Sequence, residues 1–120
     1  MEMELQDYQV IDHCLCVKLP EEIDHHHAEA VSEMADRQIL QNQVNNVVFD
    51  FEATKFMDSS GIGLIMGRCR MMEEYSGKVR ISGVSGQLRK VMRLSGIDRI
   101  AEIEGARRTD APAQSDEDRG

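Results

Sequence analysis

Val47-Val48-Phe49-Asp50-Phe51 and, a short way downstream, Met57-Asp58-Ser59-Ser60-Gly61-Ile62-Gly63 are the stretches on which the fold turns. The first is short, β-branched and aromatic, and apolar at nearly every position. That is the pattern of a strand covered on both faces in the middle of an α/β sheet. The second opens with a carboxylate and two hydroxyls, side chains suited to the unpaired N–H groups at a helix start. The helix it opens carries an apolar stripe at Ile62, Ile65, Cys69 and Met72 and ends near Ser76-Gly77. Strand, connection over residues 52–57, then helix is the unit from which mixed and parallel sheets are built.

Upstream of this unit, Ala28, Val31, Ala35 and Ile39 recur at helical spacing. They predict a helix over residues 24–42, with Asp24 placed to cap its N-terminus. Before it, Leu15, Val17 and Leu19 alternate with Cys14, Cys16 and Lys18, so residues 5–19 read as two strands around a turn at Asp12-His13, closed by Pro20. Downstream, Val79 and Ile81 mark another strand. Ser85 opens a third helix with Leu88, Val91 and Met92 inward and Gly96 as its stop, and residues 100–103 read as an edge strand. The expected fold class is α/β: a mixed β-sheet packed with α-helices in one domain over residues 1–104. Residues 105–120 are nearly free of apolar side chains and read as a disordered tail.

Composition narrows the function classes. The 120 residues suffice for one core. The formal net charge of −8 repels a phosphate backbone, and aromatic content of 4% with no Trp leaves few stacking platforms. Both argue against nucleic acid as a partner. Short apolar runs and an acidic N-terminus give no membrane span or secretory signal, so a cytoplasmic protein without a membrane partner is expected. Three cysteines, an odd number, argue against a disulfide framework; Cys14, Cys16 and Cys69 read as buried structural thiols.

Several catalytic motifs fail on inspection. A dinucleotide fingerprint needs Gly where Met66 stands, a phosphate-binding loop needs Lys where Arg68 follows Gly67, and a nucleophile elbow needs Gly before the serine where Met57 or Asp58 stands. His25, His26 and His27 point about a third of a turn apart on a helix and cannot converge on one metal ion. No catalytic residue, metal or cofactor is called for. Arg89, Lys90, Arg93 and Arg99 make the last helical region basic and read as a solvated face. Gly61, Gly63 and Gly67 in one helix cost roughly 1 kcal/mol each against Ala and ask for a reason. Close approach of another backbone or a partner surface is one and tight packing on the sheet another, and the two are compatible if Gly61 and Gly63 are exposed and Gly67 packs inward.

At Met57-Asp58-Ser59-Ser60-Gly61-Ile62-Gly63 the chain strongly resembles the anti-sigma factor antagonist family, whose members are STAS domains. The resemblance continues through Ile23-Asp24-His25-His26, Gly67-Arg68 and Leu94-Ser95-Gly96-Ile97, and the histidine-rich loop with Phe56-Met57 is similar to the sporulation branch. Glu21, where the family often has Gly, His27 and the tail depart from it. The resemblance implies a non-enzymatic switch. Unphosphorylated, it binds an anti-sigma factor that is also a serine kinase and so frees the sigma factor. Phosphorylation of Ser59 inactivates it, and a serine phosphatase restores it. The implied partner-binding residues are Asp24, Asp58, Ser59, Ser60, Gly61 and Gly63. The alternative is a STAS interaction module of another regulatory assembly.

Overall fold

Asp12 and His13 both adopt positive φ, 51° and 65°, and form the two-residue turn that joins β1 (Tyr8–Ile11) to β2 (Cys14–Lys18) as an antiparallel hairpin. The computed structural model describes residues 7–105 of the chain. After the hairpin come β3 (Glu22–Ile23), α1 (His25–Gln41), β4 (Asn46–Asp50), β5 (Phe56–Met57), α2 (Ser59–Glu74), β6 (Lys78–Val84), α3 (Gly86–Ser95), a single 3-10 turn at Ile97–Arg99, and β7 (Glu102–Gly105). The reading of residues 105–120 as a tail falls, past Gly105, outside the described residues.

The main sheet has the order β1-β2-β4-β6-β7, parallel except for the first hairpin. It is the mixed sheet expected, and β4 is its central strand. Each crossover, β2–α1–β4, β4–α2–β6 and β6–α3–β7, steps one strand in the same direction. With crossovers of one hand, such a march puts all three helices on the same face. Side-chain parity agrees. Leu15, Val17, Val47, Phe49, Val79 and Ile81 face the helices and are buried, and Ala28, Val31, Met34, Ala35, Ile39, Ile65, Met72 and Met92 close over them.

Among the described residues no element covers the other face. Cys14, Cys16, Val48 and Asp50 are only half-buried there, and Lys18 and Arg80 are exposed. The expectation of a central strand covered on both faces is thus corrected: the run from Val47 to Phe51 is apolar partly because Phe51, past the strand end, turns into the core. Two of the three expected buried thiols are corrected as well. Cys14 and Cys16 share the open face with their sulfurs 3.8 Å apart, and only Cys69 is buried, where desolvation pushes its pKa up to about 11.

Two details of the helices differ from their sequence pattern. In α2 the buried stripe is Gly61, Leu64, Ile65, Cys69 and Met72, and Ile62 is half-buried. In α3 Leu88 and Met92 face the core, whereas Val91 is 39% exposed. Arg68 of α2 reaches Asp36 of α1 at 3.1 Å, out of line for a hydrogen bond, so charge attraction ties these two helices together.

Candidate functional site

The two segments carrying the sequence motifs, residues 20–24 and 54–58, are zipped side by side. β3 and β5 pair in parallel, Glu22 with Phe56 and Ile23 with Met57, as a second, two-stranded sheet. Lys55 N–H donates to the Glu21 carbonyl at 2.7 Å, Asp58 N–H to the Ile23 carbonyl at 3.1 Å, and the buried Thr54 hydroxyl to the Pro20 carbonyl at 2.8 Å. Each strand leads directly into a helix, so the pairing holds the N-termini of α1 and α2 next to each other. Asp24 and Asp58, the residues after the paired strands, are the two N-caps.

Each cap is satisfied locally. The Asp24 carboxylate accepts from the His27 backbone N–H at 2.9 Å and from the His27 ring Nδ1 at 2.8 Å. The backbone bond first, and the imidazole second, hold the Asp24 carboxyl below its ordinary pKa. The Asp58 carboxylate accepts from Ser60 N–H at 2.7 Å. Ser59, the first residue of α2, lies between these features and is exposed, whereas Ser60 is half-buried. The three histidines diverge as expected. His25 leans on Glu29 at 4.0 Å in solvent, His27 folds onto Asp24, and His26 meets His27 only edge-on, ring centres 6.2 Å apart.

The glycines are arranged differently from the sequence expectation. Gly61 is buried: a Cβ there would stand inside the Met57 side chain and 3.4 Å from Ile23 Cγ2. Its missing side chain admits Met57 and Ile23 over the first turn of α2, so it serves the packing beneath the site. Gly67 is not tightly packed, since a Cβ there would meet nothing within 4 Å. Gly63 alone matches the expectation, exposed and with open space around it. Phe56, which the sequence offers as part of the resemblance but not among the implied partner-binding residues, belongs to this end as well. Phe56 projects from β5 with 62% of its surface exposed, three positions before Ser59. The short β3–β5 pairing turns the ring outward, and nothing local in the sequence records that pairing.

This end of the molecule therefore combines an exposed hydroxyl on a helix N-terminus, two capping carboxylates, a bare backbone at Gly63 and an exposed aromatic ring. Free N–H groups and the dipole of a helix start tolerate an added anion there, while an exposed ring and a bare helix backbone suit a protein surface.

The comparisons with known proteins give the class. The STAS domain family model matches residues 6–109. An anti-sigma F factor antagonist from Lysinibacillus sphaericus is 34% identical over 95 residues, 79% of this chain and 81% of that protein. The anti-sigma factor antagonist SpoIIAA in its unphosphorylated form is 31% identical with a TM-score of 0.64, over 78% of this chain and 96% of that one. The Bacillus cell fate determinant SpoIIAA in its phosphorylated form is 32% identical with a TM-score of 0.67, over 80% and 89%. The chain belongs to the anti-sigma factor antagonist family of STAS domains, in its sporulation-type branch.

Proposed function

We propose that the chain, when Ser59 is unphosphorylated, binds an anti-sigma factor with serine kinase activity, so that the sigma factor is released, and that phosphorylation of Ser59 ends this binding. A serine phosphatase resets the switch. The protein itself acts by binding in the cytoplasm and not by catalysis. The observation that carries this reading is the exposure of the Ser59 hydroxyl at the start of α2, beside two helix caps held together by the β3–β5 pairing. Relatives solved in both unphosphorylated and phosphorylated forms, at 31% and 32% identity, support it over a STAS module of another assembly.

The physical chemistry of the switch follows from the geometry. A phosphoryl group adds about −1.5 to −2 charges and three strong acceptors. On the first residue of α2 it meets the positive end of the helix dipole, so the fold tolerates it. A partner closing over the same spot would desolvate that dianion next to the Asp58 carboxylate. The cost is several kcal/mol, and about 4 kcal/mol is already a thousandfold in affinity. Phosphorylation thus acts on the interface and leaves the domain folded. Asp24, Asp58, Ser60 and Gly63 form the contact surface around Ser59, Phe56 adds an apolar anchor, and Gly61 supports it from below.

Incubation with the candidate kinase and ATP, followed by mass-spectrometric mapping, tests the reading. One phosphate on Ser59 is expected. Phosphate on Ser60, or on neither serine, would overturn it.

A further inference from the structure

We infer that Thr54 is a positioning residue for the Ser59 switch: its buried hydroxyl ties together the two segments that enter α1 and α2, and so fixes how Ser59 stands beside Asp24 when a kinase reads them. Thr54 is 3% exposed, and it is the only buried polar residue among the described residues. Its N–H donates to the Phe51 carbonyl at 2.9 Å and closes the turn that follows β4. Its hydroxyl crosses to the other segment and donates to the Pro20 carbonyl at 2.8 Å, an ordinary O–H···O length. Thr54 therefore joins the exit of the central strand to the residue just ahead of Glu21 and β3.

Burial alone gives no reason for a hydroxyl here. Valine has nearly the same shape and would bring no polar group into the interior. What the hydroxyl adds is the bond to Pro20. Among the described residues it is the one side-chain hydrogen bond between residues 20–24 and 54–58, since Lys55 and Glu21 meet only in solvent, at 3.9 Å. The other ties are backbone bonds, from Lys55 and Phe56 N–H to the Glu21 carbonyl and from Asp58 N–H to the Ile23 carbonyl.

Two strands of two residues each are marginal as a pair. The Thr54 hydroxyl clamps the entry end of that pair, and the caps Asp24 and Asp58 follow directly at the exit end. Lys55, Phe56, Met57 and Asp58 alone separate Thr54 from Ser59. A kinase that recognises the serine and the neighbouring carboxylate together needs both held in one geometry, and loss of the clamp loosens that geometry without touching either group. This inference rests on the proposed phosphorylation of Ser59.

The test is phosphorylation by the candidate kinase with ATP, measured as kcat and KM for the protein substrate, on wild type, Thr54→Val, Thr54→Ala and Thr54→Ser. Amide hydrogen exchange at Lys55, Phe56 and Asp58 reads the β3–β5 pairing directly, and circular dichroism checks the fold. Valine and alanine both lack the hydroxyl but differ in volume, whereas serine keeps the hydroxyl and loses the methyl. Thr54→Val and Thr54→Ala are expected to speed exchange at the three amides at least fivefold, with β4 and β6 unchanged. They should also raise KM at least fivefold with kcat within twofold of wild type, and Thr54→Ser should restore both readouts to within twofold. A packing role would instead order the variants by volume, with valine nearest to wild type and serine and alanine worse. That order, or a folded Thr54→Val with wild-type exchange and KM, overturns the inference alone. Loss of the fold in both hydroxyl-free variants would make Thr54 a residue of the fold only and overturn it as well. Wild type that takes no phosphate on Ser59 overturns it together with the proposed function.

Discussion

Gly61, Gly63 and Gly67 lie in one helix and share φ values open to any residue, so Gly→Ala at each isolates packing from backbone conformation. Alanine is favoured over glycine in a helix interior by about 0.5–1 kcal/mol. At Gly67, where a methyl meets nothing within 4 Å, that gain should be realised, raising the melting midpoint by about 3–5 °C. At Gly61 the methyl would overlap the middle of the Met57 side chain, which is held against Ile23. Overpacking of this kind costs roughly 1–3 kcal/mol, so the balance is a loss of about 1 kcal/mol. In a Met57→Ala background the obstruction is gone and Gly61→Ala should become stabilising, a coupling of at least about 1 kcal/mol in a double-mutant cycle. Gly63→Ala should gain stability like Gly67→Ala yet weaken partner binding, because its methyl lies on the exposed surface. Urea and thermal denaturation read the stabilities. Equal stabilisation by Gly61→Ala and Gly67→Ala would refute the packing account of Gly61.

Three further outcomes are expected. The Asp24 carboxyl is held below its ordinary value of 3.8, so its contribution to stability is present above that value and is lost as pH falls through the lower folded-state value. Thermal melts below about pH 3.8 should therefore fall more steeply for wild type than for Asp24→Asn, and parallel curves would contradict the cap. Asp36→Ala strands the Arg68 guanidinium, whose side chain is only 13% exposed, and should cost about 1–3 kcal/mol in urea denaturation. Lys55→Ala, which removes the solvent-exposed pair with Glu21, should stay within about 0.5 kcal/mol. Native-state titration with a thiol reagent should find the half-buried Cys16 reactive, Cys14 slower because partial burial also pushes its pKa up, and Cys69 silent until the chain unfolds, because it is buried with its pKa pushed up to about 11.

Local signals in the sequence were read well because their causes are local. Asp24 and Ser85 cap the helices expected of them, Gly96 ends α3 at φ 89°, and the turn at Asp12-His13 joins the first two strands. The alternation in β2 and the helical period of α1 each encode one buried face, and the structure buries those faces. What was not legible depends on partners distant in the chain. β3 and β5 are two residues each, too short for any period, and exist only because each pairs with the other. The open face of β4 follows from all three crossovers stepping the same way, which no single strand records. Gly61 lies underneath because Met57 and Ile23 pack over the first turn of α2, contacts between segments that no local pattern in the sequence records, and Gly67 meets no such neighbour within 4 Å. For the candidate site, the motif at Ser59 and the loop at Asp24 were visible, but their adjacency and the outward turn of Phe56 came only with the β3–β5 pairing.

The central claim is that negative charge at position 59 closes the partner interface while the fold stays intact. The most direct measurement is the affinity of the anti-sigma kinase for wild type, Ser59→Ala and Ser59→Asp, with Ser60→Ala as the neighbouring control. Alanine removes only a small hydroxyl, exposed at Ser59 and half-buried at Ser60, so Ser59→Ala and Ser60→Ala should bind close to wild type. Aspartate is accepted in a first helical turn, so Ser59→Asp should keep the wild-type circular dichroism spectrum and yet lose at least a hundredfold in affinity. A folded Ser59→Asp that binds as tightly as wild type would contradict the account.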